Sequence, residues 1–237
     1  MAGTPRDLIF DLDGTLIDSA PDLAHALNRL LAELGRPPLD LGAVRRMVGD
    51  GAPELVRRAL AAGGATVDPS AMPELFERYR GFYLATATES TRAYRGVPET
   101  LTRLRAAGHR MVVCTNKFQT PTMKILDFLD LARYFDGVAG GDVVPARKPD
   151  PRHLLAALAL AGRGPEYAVM IGDGINDVGA AKAAGIPVLL LDSGYGEIAA
   201  GRLGGDGLLA SFGDIPQALE RLDQTRPVQQ SSGRFTS

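Results

Sequence analysis

The chain of 237 residues carries a formal net charge of -2, with 45% hydrophobic and 23% charged residues. That balance belongs to a globular protein able to bury its own core, and it excludes nucleic-acid binding driven by a global positive field. Cys114 is the single cysteine, so no intramolecular disulfide forms, and no apolar run approaches the ~18 residues of a membrane span.

The N-terminus is short and polar and reaches its first apolar run at Leu8, unlike a signal peptide, so a cytoplasmic location is expected. Leu8-Ile9-Phe10 ends in Asp11-Leu12-Asp13-Gly14-Thr15, which predicts a buried strand opening into a polar loop. Leu23, Ala26, Leu27, Leu30, Leu31 and Leu34 then repeat at helical spacing, with Ser19 as expected N-cap ahead of Pro21 and Gly35 as the stop. Further helices are predicted at about 41–47, 52–62 and 73–86, with no strand between Ser19 and Arg92. This block is all helical.

After Arg95-Gly96-Val97-Pro98 the pattern alternates. A helix of about 98–107 precedes a strand, Met111 to Cys114, which ends in Thr115-Asn116-Lys117. A helix of about 120–129, a short strand near Val138 and a helix from Asp150 to Ala161 follow. The strand Tyr167 to Ile171 runs into Gly172-Asp173-Gly174, then come a helix of about 175–184 and a strand from Ile186 to Leu191. Alternating strands and helices make βαβ units and a mostly parallel sheet, so the fold class is α/β with a helical block inserted after the first strand. The glycine-rich stretch 193–213 is expected to form loops beside the site, and the polar tail of residues 224–237 to be disordered.

Three predicted strands end in polar clusters: Asp11/Asp13, Thr115/Asn116 and Asp173/Asp177. Open parallel sheets bind ligands beyond the carboxyl ends of their strands, so these clusters are expected to converge. Asp11 and Asp13, two apart in extended backbone, share a direction. Two such carboxylates repel unless a cation or proton lies between them, and Mg²⁺ with its preference for oxygen suits that place.

Asp11-Leu12-Asp13-Gly14-Thr15-Leu16-Ile17-Asp18-Ser19 resembles the first motif of the haloacid dehalogenase superfamily. Thr115-Asn116 resembles the second, Lys148-Pro149-Asp150-Pro151 the third and Gly172-Asp173-Gly174-Ile175-Asn176-Asp177 the fourth. The resemblance implies a Rossmann-like core, residues 1–17 and 94–223, and a helical cap, residues 18–93. It implies a phosphatase that works through an aspartyl-phosphate. Asp11 would be nucleophile and Mg²⁺ ligand. Asp13 would be general acid and then base, with its backbone carbonyl on the metal. Thr115, with the backbone at Asn116 and Gly14, would hold the phosphoryl oxygens, and Lys148 would neutralise their charge. Asp173 would bind Mg²⁺ and Asp177 would act through hydrogen bonds close by.

The cap segment from Met47 to Val56 resembles those of phosphoglycolate phosphatases, as do Thr115-Asn116-Lys117 and Gly194-Tyr195-Gly196. The expected substrate is therefore 2-phosphoglycolate, its carboxylate met by Gly49, Asp50 and Gly51 at a helix start, by Arg45 or Arg46, or by Lys117. No lysine occurs from Ser19 to Arg92, which argues against a Schiff-base phosphonate hydrolase and a hexose-phosphate mutase. Two further readings stand: a phosphatase of a sugar phosphate or nucleotide, and a non-catalytic binding protein on this fold. His25, His109 and His153 lack metal-ligand spacing and are expected at the surface or at helix ends. Cys114 is expected to be a buried, inert thiol, and Arg45-Arg46 and Arg57-Arg58 to be solvated helix faces.

Overall fold

A computed structural model describes residues 4–64 and 67–225 of the chain. The first half contains β1 (Asp7–Phe10), β2 (Ile17–Asp18), α1 (Ala20–Glu33), α2 (Leu41–Met47), α3 (Ala52–Ala62), α4 (Met72–Thr86), β3 (Arg92–Ala93) and α5 (Val97–Ala106). The second half contains β4 (Arg110–Cys114), α6 (Gln119–Phe128), β5 (Gly137–Ala139), α7 (Pro151–Leu160), β6 (Ala168–Gly172), α8 (Ile175–Ala184), β7 (Val188–Leu191), β8 (Gly207–Leu209) and α9 (Ile215–Thr225).

Six strands form one parallel sheet in the order β5-β4-β1-β6-β7-β8. Alternate residues of each strand point to opposite faces, so two cores form. Leu8, Phe10, Val113 and Ile171 meet α5, α6 and α9 on one face, through Leu101, Ile125 and Leu219. Ile9, Val112, Met170 and Leu190 meet α7 and α8 on the other, through Leu154, Leu158 and Val178. β1 lies between β4 and β6, and the chain leaves it in both directions. The carboxyl ends of these three strands are therefore adjacent, at the switch point where such sheets bind ligands.

The cap is the helical block between β2 and β3. α1, α3 and α4 close its own core around Leu27, Leu31, Val56, Leu60 and Tyr79. Its two connections are not separate: β2 and β3 pair antiparallel, Ile17 with Ala93 and Asp18 with Arg92. Asp22 on α1 stitches them further, accepting from the Thr91 N–H at 2.8 Å and the Thr91 hydroxyl at 2.7 Å.

Four details differ from the sequence reading. The Ser19 hydroxyl caps no backbone group of α1; it donates to Asp13 instead. His109 and His153 are buried. Each has a backbone partner at Nδ1, the Arg6 N–H at 3.0 Å and the Lys148 N–H at 3.3 Å. The stretch 193–213 is not all loop, because β8 extends the sheet there. Of the tail expected to be disordered, Gln224 and Thr225 instead close α9, and 226–237 lies outside the described residues.

Candidate active site

Asp11 follows β1, Thr115 follows β4 and Asp173 follows β6, so topology alone places them side by side. Lys148 reaches them from the loop before α7. Its Nζ lies 2.8 Å from Asp11 Oδ1 and 2.6 Å from Asp177 Oδ1. Asp177, in the first turn of α8, also accepts from the Asp173 N–H at 3.1 Å and the Gly174 N–H at 3.0 Å. Its position four residues after Asp173 turns it back over the strand end, where these donors would otherwise be orphaned.

Asp173 is held on both oxygens. Oδ1 accepts from the Thr15 hydroxyl at 2.8 Å and Oδ2 from the Tyr195 N–H at 2.7 Å. Two glycines make room for it. A Cβ on Gly14, whose φ is +89°, would stand 2.3 Å from Asp173 Oδ2, and one on Gly194 would stand 2.1 Å from Asp173 Cβ.

Asp11, Asp173 and Asp177 can bring one oxygen each within 4.8 Å of one another. Burial pushes the Asp11 carboxyl up to about 6, against the attraction of Lys148. Burial and the charges of Asp11 and Asp177 raise Asp173 well above the carboxylate range. Burial alone would lower Lys148, but Asp11 and Asp177 outweigh it and hold the ammonium charged. Three carboxylates against one ammonium leave a negative excess in a desolvated place. An oxygen-seeking divalent cation fits that donor set and would relieve the excess.

The Asp13 carboxylate turns away from this cluster. Lys117 Nζ lies 2.9 and 3.0 Å from its two oxygens, and the Ser19 hydroxyl donates to Oδ1. Thr115 is buried, and its hydroxyl accepts from the Lys117 N–H at 3.2 Å. Asn116 Nδ2 donates to the carbonyls of Lys148 and of Gly49 in the cap, both at 2.9 Å. Burial pushes the thiol of Cys114 up to about 12 and keeps it inert, and lowers His153 to about 4.

Two cavities meet at Asp11 and Asp13. One is lined by Thr115 and Lys117 together with the cap residues Leu23, Phe76, Tyr79 and Tyr83. The other is lined by Arg46, Asp50, Arg58, Lys148, Asp173 and Tyr195. The cap residues expected to read a carboxylate are distributed unevenly. Arg45 lines neither cavity, because its guanidinium is 2.6 Å from Asp18 Oδ2. Arg46 is exposed at the second cavity. The turn at Gly49 meets the core as an acceptor: its carbonyl takes Asn116 Nδ2 at 2.9 Å and Asn176 Nδ2 at 3.2 Å. Asp50 takes Asn176 Nδ2 at 2.7 Å and the Arg58 guanidinium. Gly51 opens α3 and lines the first cavity.

Tyr195 had no role in the sequence reading beyond its place between two glycines. Its N–H holds Asp173, while its hydroxyl accepts from the N–H groups of Ser19 at 2.9 Å and Ala20 at 3.0 Å and donates to Asp18 at 2.5 Å. One residue thus joins the carboxylate cluster to the start of the cap.

The haloacid dehalogenase-like hydrolase family matches residues 8–185. A phosphoglycolate phosphatase of Caulobacter vibrioides is 45% identical over 221 residues, 93% of each chain. One from Pseudomonas putida is 46% identical over 81% of this chain and 71% of its own. Among solved structures, a predicted phosphoglycolate phosphatase from Haemophilus somnus superposes with a TM-score of 0.84 at 29% identity, over 90% of this chain and 97% of that one. CbbY from Rhodobacter sphaeroides in complex with phosphate gives 0.75 at 26% identity, over 90% and 96%. With the family match spanning three strand-end clusters on one sheet edge, the chain belongs to the haloacid dehalogenase-like hydrolases.

Proposed function

We propose that this chain is a magnesium-dependent phosphatase that hydrolyses 2-phosphoglycolate to glycolate and phosphate in the cytoplasm. The observation that carries the reading is the convergence of Asp11, Lys148, Asp173 and Asp177 beside Asp13 and Thr115. The names of the relatives at 45% and 46% identity support the substrate. Residues 1–17 and 94–223 form the catalytic core in this reading, and 18–93 the cap.

Asp11, Asp173 and the Asp13 carbonyl would hold the Mg²⁺, with Asp177 close by. Bound there, the ion would neutralise charge between the nucleophile and the phosphoryl oxygens. Asp11 attacks phosphorus, and the bond to the glycolate oxygen breaks. Asp13 gives that oxygen a proton, so glycolate leaves as an alcohol. Asp13 then takes a proton from water, which attacks the aspartyl-phosphate and returns Asp11 and inorganic phosphate. Lys148 and Thr115 meet the equatorial oxygens, and such fixed charges and donors carry most of phosphoryl-transfer catalysis. Lys148, 2.8 Å from Asp11, holds the nucleophile charged despite its burial.

Phosphate release by the purified protein from 2-phosphoglycolate, sugar phosphates and nucleotides, with Mg²⁺ or with chelator, tests the reading. Metal-dependent release led by 2-phosphoglycolate is expected, with Asp11→Asn losing at least about a thousandfold in kcat. Release led by a sugar phosphate or nucleotide would replace the substrate and keep the mechanism. No release from any ester would favour a binding protein.

A further inference from the structure

Tyr79 and Tyr83 stand one turn apart on α4, their rings parallel with centroids 6.0 Å apart. Both are buried, 1% and 5% exposed, and neither hydroxyl has a hydrogen-bond partner among the described residues. Buried tyrosine hydroxyls ordinarily find a partner, and an unpaired one is costly. Two together, in the wall of the cavity that ends at Asp11 and Asp13, ask what completes them.

The surroundings restrict the answer. Lys117 Nζ sits 4.9 Å from the centre of the Tyr83 ring and within 3.0 Å of both Asp13 oxygens, so it bridges Tyr83 and the proposed acid. Burial raises both phenols above their ordinary value, helped at Tyr79 by the neighbouring Tyr83 and at Tyr83 by Asp13 and Asp22. They therefore stay protonated and can donate. Two tyrosines with unpartnered hydroxyls share the wall of this cavity with the Lys117 ammonium and with Leu23, Leu55 and Phe76, a lining that suits a small anion on a short apolar stem.

We propose that Tyr79 and Tyr83, with Lys117, form the receptor for the carboxylate of the substrate, and so determine specificity. The assignment rests on the phosphatase reading above and deepens it. It replaces the role expected of Arg45, which is committed to Asp18, and of the Gly49 turn, which presents a carbonyl to the core. An anion drawing Lys117 toward the tyrosines loosens its hold on Asp13, and the proton donor comes free when the correct substrate is seated.

The test compares 2-phosphoglycolate with ethyl phosphate, which has the same length and no carboxylate. Tyr79→Phe, Tyr83→Phe and the double variant keep the rings and their packing, and thermal melting verifies their folding. The kcat/KM ratio of 2-phosphoglycolate over ethyl phosphate is expected to fall about tenfold in each single variant and further in the double, mostly through KM. Calorimetric titration of the Asp11→Asn protein, with and without the tyrosine substitutions, reads the same discrimination as binding and needs no turnover. Failure of the phosphatase reading appears as wild-type protein that releases no phosphate from either ester. The receptor is then judged on calorimetry alone. Equal losses on both ligands, or an unchanged ratio, would overturn the proposal and leave the two hydroxyls to buried water.

Discussion

At Gly14 a positive φ and the Asp173 carboxylate together leave space for a hydrogen atom alone. A methyl group there strains the backbone and displaces the carboxylate that Thr15 and Tyr195 hold in place. Gly14→Ala is therefore expected to keep the fold but to weaken Mg²⁺ binding about tenfold or more, as loss of supporting contacts does at metal sites. Melting temperatures with and without Mg²⁺ read this directly. The ion raises the midpoint of the wild type and raises that of the variant much less at the same concentration. An equal rise in both proteins would show that the Gly14 cradle does not serve the metal. At this scale the sequence was most legible where chemistry and backbone coincide, as at Asp11 and Asp173 at strand ends and Lys148 in the loop that leads into α7. It was least legible where a side chain serves something distant. Ser19 has the identity and place of an N-cap, yet its hydroxyl goes to Asp13. Tyr195 acts through both its N–H and its hydroxyl, across a separation of more than 170 residues from Ser19 and Ala20, and no local pattern records that.

The elements of the cap act on the core through a small set of polar contacts. Asn116, from the loop after β4, and Asn176, in the first turn of α8, both donate to the Gly49 carbonyl, and Asn176 also reaches Asp50. Because Asn116 shares its amide with the Lys148 carbonyl, cap closure and lysine placement are fastened at one point. Asn176→Ala removes two of these contacts and none to the carboxylate cluster. At about 1 kcal/mol for each hydrogen bond, KM for 2-phosphoglycolate is expected to rise about thirtyfold, with kcat changed less. Steady-state kinetics distinguish this from a fall in kcat alone, which would place Asn176 in the chemistry instead of the closure. Helices α1 to α8 were legible, since 3.6-residue periodicity and glycine stops bound them closely, whereas α9 formed no part of the sequence reading. α4 also shows the limit of periodicity: Leu75, Tyr79 and Tyr83 recur at the spacing of a core face, and spacing alone cannot tell a packed ring from one whose hydroxyl awaits a ligand. β2 and β3, two residues each, are too short for any alternation to reveal.

For the whole molecule, sheet order decides what sequence order cannot. Asp11, Thr115 and Asp173 are far apart along the chain, and they meet because β1 lies between β4 and β6. The rule that parallel sheets bind at their carboxyl edge makes that meeting legible in the sequence. The relation of cap to core was not legible in the same way, because it depends on the β2–β3 ribbon and on the Tyr195 and Asp22 contacts.

That ribbon gives the cap the properties of a cassette. Asp18 and Arg92 are paired neighbours, so excising 19–91 leaves two ends that a two-residue Asn-Gly turn can join as an ordinary hairpin. The sheet cores lie on the two faces of the sheet, apart from the cap's own cluster, so the shortened chain is expected to fold. Its circular dichroism and its hydrolysis of 2-phosphoglycolate against p-nitrophenyl phosphate check this: a folded protein that no longer discriminates is the expected result, and an unfolded one would make the cap part of the scaffold. Recombination at this single seam could then exchange recognition between relatives while the phosphoryl chemistry beneath stays untouched.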